Sequence, residues 1–503
     1  MLPETAHPDP SPTDVAPRST TLGCPRVLVV GGGYVGMVTA YRLGRLLRAG
    51  EAEVVVVDPR SFMTYQPFLP EAAAGSLDAR SIVVPLRRGL PRARVVTARV
   101  TRVEHERRVA TIAPHVGDSY EMTYDELVVA VGAVSRTLPI PGLAEFGIGF
   151  KTVEEAIALH NRVIDKLDEA SSLASVQDCP RLLTFIVVGA GFAGVEALAE
   201  LEDMAHDLVA FYPELAVSDL RWVLVEASDR VLPELSTLMS RYALAELQAR
   251  GVDVRLDTRL VSCVDGHVVL SDGTELEADT VVWTAGVRPH PMLTQTDLPL
   301  GEKGHVRCEE TLAVAGVANA WAAGDCAAVP DLSRGTGDWC PPTAQYAVRQ
   351  AKVLAANVVA SLRGEPLTTF HHANLGTVAS LGLYRGVAQI LGVHLHGFPA
   401  WFAHRTYHLY AVPTWSRKAH TVADWTLALV FRRELTSLGT LHDPRAGFAE
   451  AAGVGPSAEA SRASVSGSAG VRPRPVIGDG PGRPRRRGRS RPRAAGGGSG
   501  TPV

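Results

Sequence analysis

The chain has 503 residues, 46% hydrophobic and 20% charged, enough for two or three domains with sizeable cores. Its formal net charge of −3 hides an asymmetry: from Gly447 onward there are 10 Arg, no Lys and 3 acids, which leaves 40 basic and 50 acidic residues in the body. An acidic body gives no reason to expect a nucleic-acid partner, and six irregularly spaced cysteines without a CxxC exclude a disulfide scaffold or zinc ribbon and fit a reducing cytosol.

Residues 1–22 are rich in Pro, Ser, Thr and Asp and are expected to be a disordered N-terminus. They lack the charged start and apolar run of a signal peptide, and no window of about 18 uncharged apolar residues follows that could span a bilayer. RVLVV at Arg26 to Val30 reads as a short buried strand, and Gly31, Gly33 and Gly36 then spell GxGxxG, with Gly32 inside the same turn. A helix is expected over Val38 to Arg48. In this arrangement Gly31 permits the tight turn, Gly33 lets the backbone approach a pyrophosphate, and Gly36 allows close helix–strand packing. The pyrophosphate rests on the free N–H groups of the helix N-terminus. EVVVVD then ends at Asp58, 22 residues after Gly36, where a carboxylate can accept hydrogen bonds from ribose hydroxyls. A hairpin region at Gly117–Asp118 and the strand-like YDELVVAVGA, ending at Ala133, close this half.

The same order of parts then repeats. An apolar run from Leu182 to Val188 leads to Gly189, Gly191 and Gly194, then a helical segment through Leu208, then RWVLVE ending at Glu226. Hairpins are expected at Asp265–Gly266 and Asp272–Gly273, and ADTVVWTAG closes the half at Gly286. A single glycine turn is weak evidence. Strand, glycines, helix, strand and terminal acid in order, twice, point to duplication of one nucleotide-binding module and an α/β fold. Glu226 also favours NADH over NADPH: a phosphate about 4 Å from this carboxylate is repelled by roughly 4 kcal/mol at an effective dielectric near 20. Arg230 would soften that preference if it reached the phosphate.

Four further stretches carry a resemblance. WAAGDCAAV, with Asp325, resembles the AxGD signature of two-dinucleotide flavoproteins. PPTAQYAVRQ, with Ala344, Gln345, Ala347 and Gln350, resembles the AQxAxxQ segment of type II NADH dehydrogenases, the single-chain NADH:quinone oxidoreductases that do not pump protons. TYQPFLPEAAAG and GVEALAEL, the latter with Glu196, resemble two more segments of that family. The similarity runs from about Arg26 to about Leu441. It implies tandem Rossmann-like domains, with 23–142 and 290–372 binding FAD and 143–289 binding NADH. It further implies hydride transfer from NADH to FAD, then passage of two electrons and two protons to a membrane quinone. By the resemblance, Gly31, Gly32, Gly33, Gly36, Asp58, Val100 and Asp325 hold FAD, and Gly189, Gly191, Gly194, Glu226 and Gly286 hold NADH. Ala344 and Gln345 lie near the flavin ring and quinone, and Glu196 sits beside the isoalloxazine for quinone binding or proton handling. The plainer readings are that Glu196 is an exposed acid in a first helical turn and that Gln345 caps its helix. Asp58 stands where relatives often have Glu, and Val131 where they more often have Thr.

Residues 373–446 are expected to form a membrane-associating or dimerisation region. Phe398, Trp401, Phe402, Tyr407, Tyr410, Trp415, Trp425 and Phe431 interleave with Arg405, Arg417, Lys418, Arg432 and Arg433, a pattern suited to the headgroup layer. A homodimer interface or a plain core would carry the same residues. Together these features place the chain peripherally on the cytoplasmic side of the cell membrane. The 447–503 tail, with nine Arg between Arg472 and Arg493, reads as a disordered extension. The competing functions are a sulfide:quinone oxidoreductase, which needs redox cysteines at the flavin, and a non-catalytic redox sensor that binds both nucleotides.

Overall fold

A computed structural model describes residues 23–175, 179–333, 337–372, 376–431, 433, 436 and 437. The expectations for 1–22, for 447–503, for Arg432 and for 373–375, 434–435 and 438–446 of the expected 373–446 region lie outside these residues. The glycine-turn strand Arg26–Val30 is apolar and wholly buried, as a strand covered on both faces must be. It lies inside a seven-stranded sheet, parallel to Glu53–Asp58 on one side and to Glu126–Val129 on the other. Ala320–Ala322 extends the sheet at one edge. Arg94–Glu104, Val109–Pro114 and Tyr120–Thr123 extend it at the other, the last two as antiparallel returns.

The second half repeats this arrangement. Thr184–Val188 is likewise wholly buried and lies parallel between Arg221–Val225 and Thr280–Trp283. Gly147–Gly149 and Asp253–Arg255 complete a five-stranded parallel sheet. In both halves the strand leading to the glycines is therefore flanked by the strand that delivers the acid and by the closing strand, which is the topology expected of a duplicated module. The expected hairpins are also present. Val109–Pro114 pairs with Tyr120–Thr123 around Gly117. Leu260–Val264, His267–Leu270 and Glu275–Glu277 form an antiparallel ribbon with Asp265, Gly266 and Gly273 at positive φ in its turns.

Two boundaries differ from expectation. The first helix spans Tyr34–Leu46 rather than Val38 to Arg48, because Gly33 already serves as its N-cap and the turn feeds directly into it. Before the second glycine turn, Leu182 and Leu183 belong to a 3-10 turn, Pro180–Leu183, and the strand begins at Thr184. The helix after that turn runs Phe192–Val209, close to the expected end at Leu208.

Beyond the second module, Ala344–Arg363 forms a long helix that packs along Tyr34–Leu46. An antiparallel sheet of Gly376–Ser380, Gly386–Ile390 and Val393–His396 follows. Two helices, Phe398–Ala411 and Trp415–Phe431, come next. Among the described residues no helix is long and apolar enough to cross a membrane.

Candidate functional site

Gly31 adopts φ +102°, a conformation that L side chains rarely take. Its N–H donates to the Val57 carbonyl at 2.8 Å, which locks the turn to the neighbouring strand. A Cβ on Gly36 would collide with the Gly31 carbonyl oxygen, so helix and strand approach closely only because Gly36 lacks one. At Gly33 a Cβ would meet nothing within 4 Å; that residue faces open space, where a ligand backbone can come near. Gly32 has a different task. Its N–H donates to Asp58 Oδ2 at 2.7 Å, while the Arg60 N–H donates to Oδ1 at 2.7 Å, so the carboxylate is aimed by two backbone donors.

Gly31, Gly33, Asp58, Val100, Asp325 and Ala344 all line one cavity of about 530 Å³, whereas Gly32, Gly36, Glu196 and Gln345 do not. The volume lies within the usual range for a cofactor site. Several further lining residues were not singled out from the sequence: Tyr34, Arg60, Arg99, His290, and Lys151, Thr152 and Glu155 from the start of the helix Val153–Ser171. Thr152 caps that helix through a capping box with Glu155, a pattern legible as T-x-x-E. Glu155 also accepts from the Lys151 N–H at 2.7 Å, and this fixes Lys151 at the cavity wall, 3.9 Å from Asp325. Burial pushes the Asp325 carboxyl upward, opposed by Lys151 and His305. Burial and Arg99 hold His290 below the ordinary imidazole value. The GD turn has its own support: the Gly324 N–H donates to buried Gln350 Oε1 at 2.8 Å, which gives the second Gln of PPTAQYAVRQ a structural role.

These residues fit a flavin dinucleotide. The glycine turn leaves room for a pyrophosphate, Asp58 is aimed for a ribose, Asp325 stands where a polyol chain can be hydrogen-bonded, and cations line the wall.

The second cradle has the same local geometry. Gly189 sits at φ +107° and donates to Val225 O at 2.8 Å. A Cβ on Gly194 would strike the Gly189 carbonyl oxygen. Gly191 is the N-cap of its helix, and Gly286 turns the closing strand at φ +91°. Glu226 accepts from the Ala190 N–H at 2.6 Å and from the Ser228 N–H and Oγ, both at 2.8 Å. It thus occupies the station that Asp58 holds in the first half. Arg230 donates to Pro233 O at 2.9 Å and to Thr237 Oγ1 at 3.4 Å within its own loop, so its guanidinium is engaged there.

Glu196 is not an exposed acid. It is 8% exposed and accepts from the Ser380 N–H at 2.9 Å, with His404 Nε2 at 3.1 Å. Gln345 does not cap its helix: Thr343 is the N-cap, accepting from the Tyr346 N–H at 3.4 Å, and Gln345 is half-buried beside cavity-lining Ala344. Among the described residues no cysteine lines the cavity.

The C-terminal aromatics divide into two groups. Trp401 is buried and Trp425 half-buried, and Arg405 is clamped between their rings at 4.4 and 4.7 Å while it pairs with Glu71 at 3.2 Å. Arg433 is also internal, within 3.4 Å of Glu200. These two cations therefore pin the region to the body and do not face lipid, which corrects the simpler interleaved reading. Phe398, Phe402, Tyr407, Tyr410, Trp415 and Phe431 are exposed, Trp415 to 85%.

Residues 25–351 match the pyridine nucleotide-disulphide oxidoreductase family. The chain is 32% identical over 382 residues to a type II NADH:quinone oxidoreductase of Staphylococcus aureus strain NCTC 8325, covering 75% of this chain and 92% of that one. It is 27% identical over 420 residues to a probable NADH dehydrogenase of Dictyostelium discoideum, covering 82% and 91%. The fold matches that of NDH2 from Plasmodium falciparum, solved with NADH, with TM-score 0.76 at 18% identity over 82% of this chain and 99% of that one.

Proposed function

The chain belongs to the pyridine nucleotide-disulphide oxidoreductase family and, within it, to the type II NADH:quinone oxidoreductases; on that premise we propose that it oxidises NADH and reduces a membrane quinone through bound FAD. The observation that carries this reading is the pair of glycine cradles, each with its acid held on the turn's own N–H, the first opening on the 530 Å³ cavity. Residues 23–142 and 290–372 form the FAD-binding part, with Gly31, Gly33, Asp58, Val100, Asp325 and Ala344 against the cofactor. Residues 143–289 form the NADH-binding part, with Gly189, Gly191, Gly194, Glu226 and Gly286.

Bound FAD supplies a two-electron carrier between nicotinamide and quinone. The protein's contribution is placement and charge. Lys151 and the N-terminal end of the Ala344–Arg363 helix bring positive potential to the cavity wall, favouring negative charge that develops there. Gln345 can donate to a quinone carbonyl and accept from a quinol hydroxyl. NADH brings two electrons and one proton as hydride, while quinol formation takes up two of each, so every turnover draws one further proton through the protein. The exposed aromatic face of the last two helices is the surface we assign to the membrane, peripherally and on the cytoplasmic side; a homodimer contact there is the alternative, and vesicle flotation against chain mass in solution separates the two. The lack of a cavity cysteine among the described residues speaks against sulfide as donor.

The test is anaerobic mixing of purified protein with NADH or with sulfide, followed by a short-chain quinone, while flavin absorbance is recorded. Bleaching by NADH and recovery with quinone is the expected result. Bleaching by sulfide alone, or no recovery with any quinone, would overturn the reading.

A further inference from the structure

The helix Phe398–Ala411 carries His404 and His408 four residues apart, hence on one face. His404 is 2% exposed, and its Nε2 lies 3.1 Å from Glu196 Oε1. Its other nitrogen, Nδ1, is buried and makes no hydrogen bond among the described residues. His408 stacks edge-on against it, ring centroids 4.5 Å apart, and its Nδ1 lies 3.1 Å from the Tyr65 hydroxyl. Tyr65, itself buried, rests against Tyr34 with ring centroids 6.1 Å apart, and Tyr34 lines the cavity. Five polar side chains, Glu196, His404 and Tyr65 buried and His408 and Tyr34 half-buried, thus run from the second-turn helix to the cavity wall.

Such a string is expensive to bury. Each polar atom left without a partner costs about 1–3 kcal/mol, and apolar side chains would fill the same volume without that penalty. Neutral imidazole has one property they lack: it can take a proton on one nitrogen while releasing one from the other. Burial and the adjacent His404 hold His408 well below the ordinary imidazole value, so it is neutral near neutral pH, the form in which such an exchange can occur. The titratable and charged groups packed around the pair are Glu196 and Glu200 on the second-turn helix, Glu71 with Arg405 on the His404 side, and Tyr65, Tyr34 and Tyr407 on the His408 side.

We infer that Glu196, His404, His408, Tyr65 and Tyr34 form a proton-transfer array that delivers to the cavity the one proton per turnover that NADH does not bring. The inference rests on the quinone-reducing reading above. A proton entering at Glu196 passes to His404, each later step breaks one N–H or O–H bond as the next forms, and the last step requires the Tyr34 hydroxyl, buried and without a hydrogen bond among the described residues, to turn towards the cavity that its residue lines. No oxidation state changes along the array. Two of the steps, His404 to His408 and Tyr65 to Tyr34, are ring contacts without a hydrogen bond in this structure, so they require side-chain rotation and are the slow ones.

The test uses the flavin-loaded full chain and the variants Tyr65→Phe and His408→Asn, with the two half-reactions measured separately. Flavin bleaching by NADH is expected to stay within about twofold, while reoxidation by short-chain quinone slows by about 10²-fold, the lower end for a lost general acid–base group. In both variants reoxidation is also expected to become dependent on bulk pH, a change that mere loosening of the fold does not produce. Imidazole ¹⁵N NMR supplies a readout independent of turnover: His408 stays neutral through pH 6, and its Nδ1 signal moves in Tyr65→Phe. Reoxidation within about twofold in both variants, equal slowing of both half-reactions, or a His408 that titrates near the free value of ~6.5 would overturn the array. If Tyr65→Phe does not fold, His408→Asn and the NMR titration decide. A wild-type flavin that NADH cannot bleach or quinone cannot reoxidise would instead sink the functional reading beneath it.

Discussion

Replacing Glu226 with Gln isolates the charge that is argued to exclude NADPH. Gln keeps the side-chain length and an acceptor for the Ala190 N–H, the shortest of the three hydrogen bonds that hold the carboxylate at 2.6 Å. The 2′-phosphate of NADPH would meet the native carboxylate at about 4 Å, where two unit charges repel by about 1 kcal/mol in bulk water and by about 4 kcal/mol at an effective dielectric of 20. Glu226 is half-buried, so the true figure falls between these limits. That range corresponds to a discrimination of about fivefold to about 10³-fold. Arg230 does not cancel it, because its guanidinium is bonded to Pro233 O and Thr237 Oγ1. The assay is kcat/KM for NADH and for NADPH with the same short-chain quinone. The NADH-over-NADPH ratio is expected to fall by at least about fivefold in Glu226→Gln, mainly through better use of NADPH. An unchanged ratio with normal flavin content would remove Glu226 from the nicotinamide site.

Gly36→Ala drives a Cβ into the Gly31 carbonyl oxygen. Overpacking of this kind costs about 1–3 kcal/mol, so the melting temperature and the flavin content are both expected to fall; Gly194→Ala is expected to keep its flavin and lose NADH affinity, and the reverse pattern would exchange the two cradles. Gln345→Ala is expected to slow flavin reoxidation by quinone and to leave reduction by NADH nearly unchanged in rapid mixing; equal losses would make the residue structural. Asp203 is held between Arg250, Arg433 and Arg385, yet burial and Glu200 push its carboxyl from 3.8 up to about 7. A carboxyl raised in the folded state binds a proton that the unfolded chain has already released, so its contribution to stability is present below the unfolded value and is lost as pH rises towards about 7. Asp203→Asn removes that loss. Its stability relative to the native chain is expected to rise between pH 4 and pH 7, by at most about 1.4 kcal/mol per pH unit, and denaturant melts showing a parallel pH dependence would refute the assignment.

What could be read from the sequence was local in the chain. A glycine turn declares itself within six residues, and Asp58 and Glu226 each close the strand that follows, so both cradles and the duplicated topology followed from order alone. Residues brought in from elsewhere were harder to find. Lys151 lines the first cavity although it precedes the second module's glycine turn; only the T-x-x-E box beside it was visible, and that marks a helix start without showing where the helix points. Arg405 reads as a lipid-facing cation until Glu71, 334 residues away in sequence, is found against it. For Glu196 the sequence left open the plainer reading of an exposed first-turn acid, which the Gly376–Ser380 strand and His404 remove by covering it. In the sequence His404 and His408 have only an i, i+4 spacing, and spacing alone does not distinguish packed histidines from surface ones.

The most direct measurement is an anaerobic titration of the purified chain with NADH, following flavin absorbance and counting equivalents. Two cradles serving one flavin and one nicotinamide predict a yellow protein whose flavin is fully bleached at one NADH per chain. A colourless protein that takes up no added FAD, or a bound flavin that NADH leaves oxidised, would contradict the account.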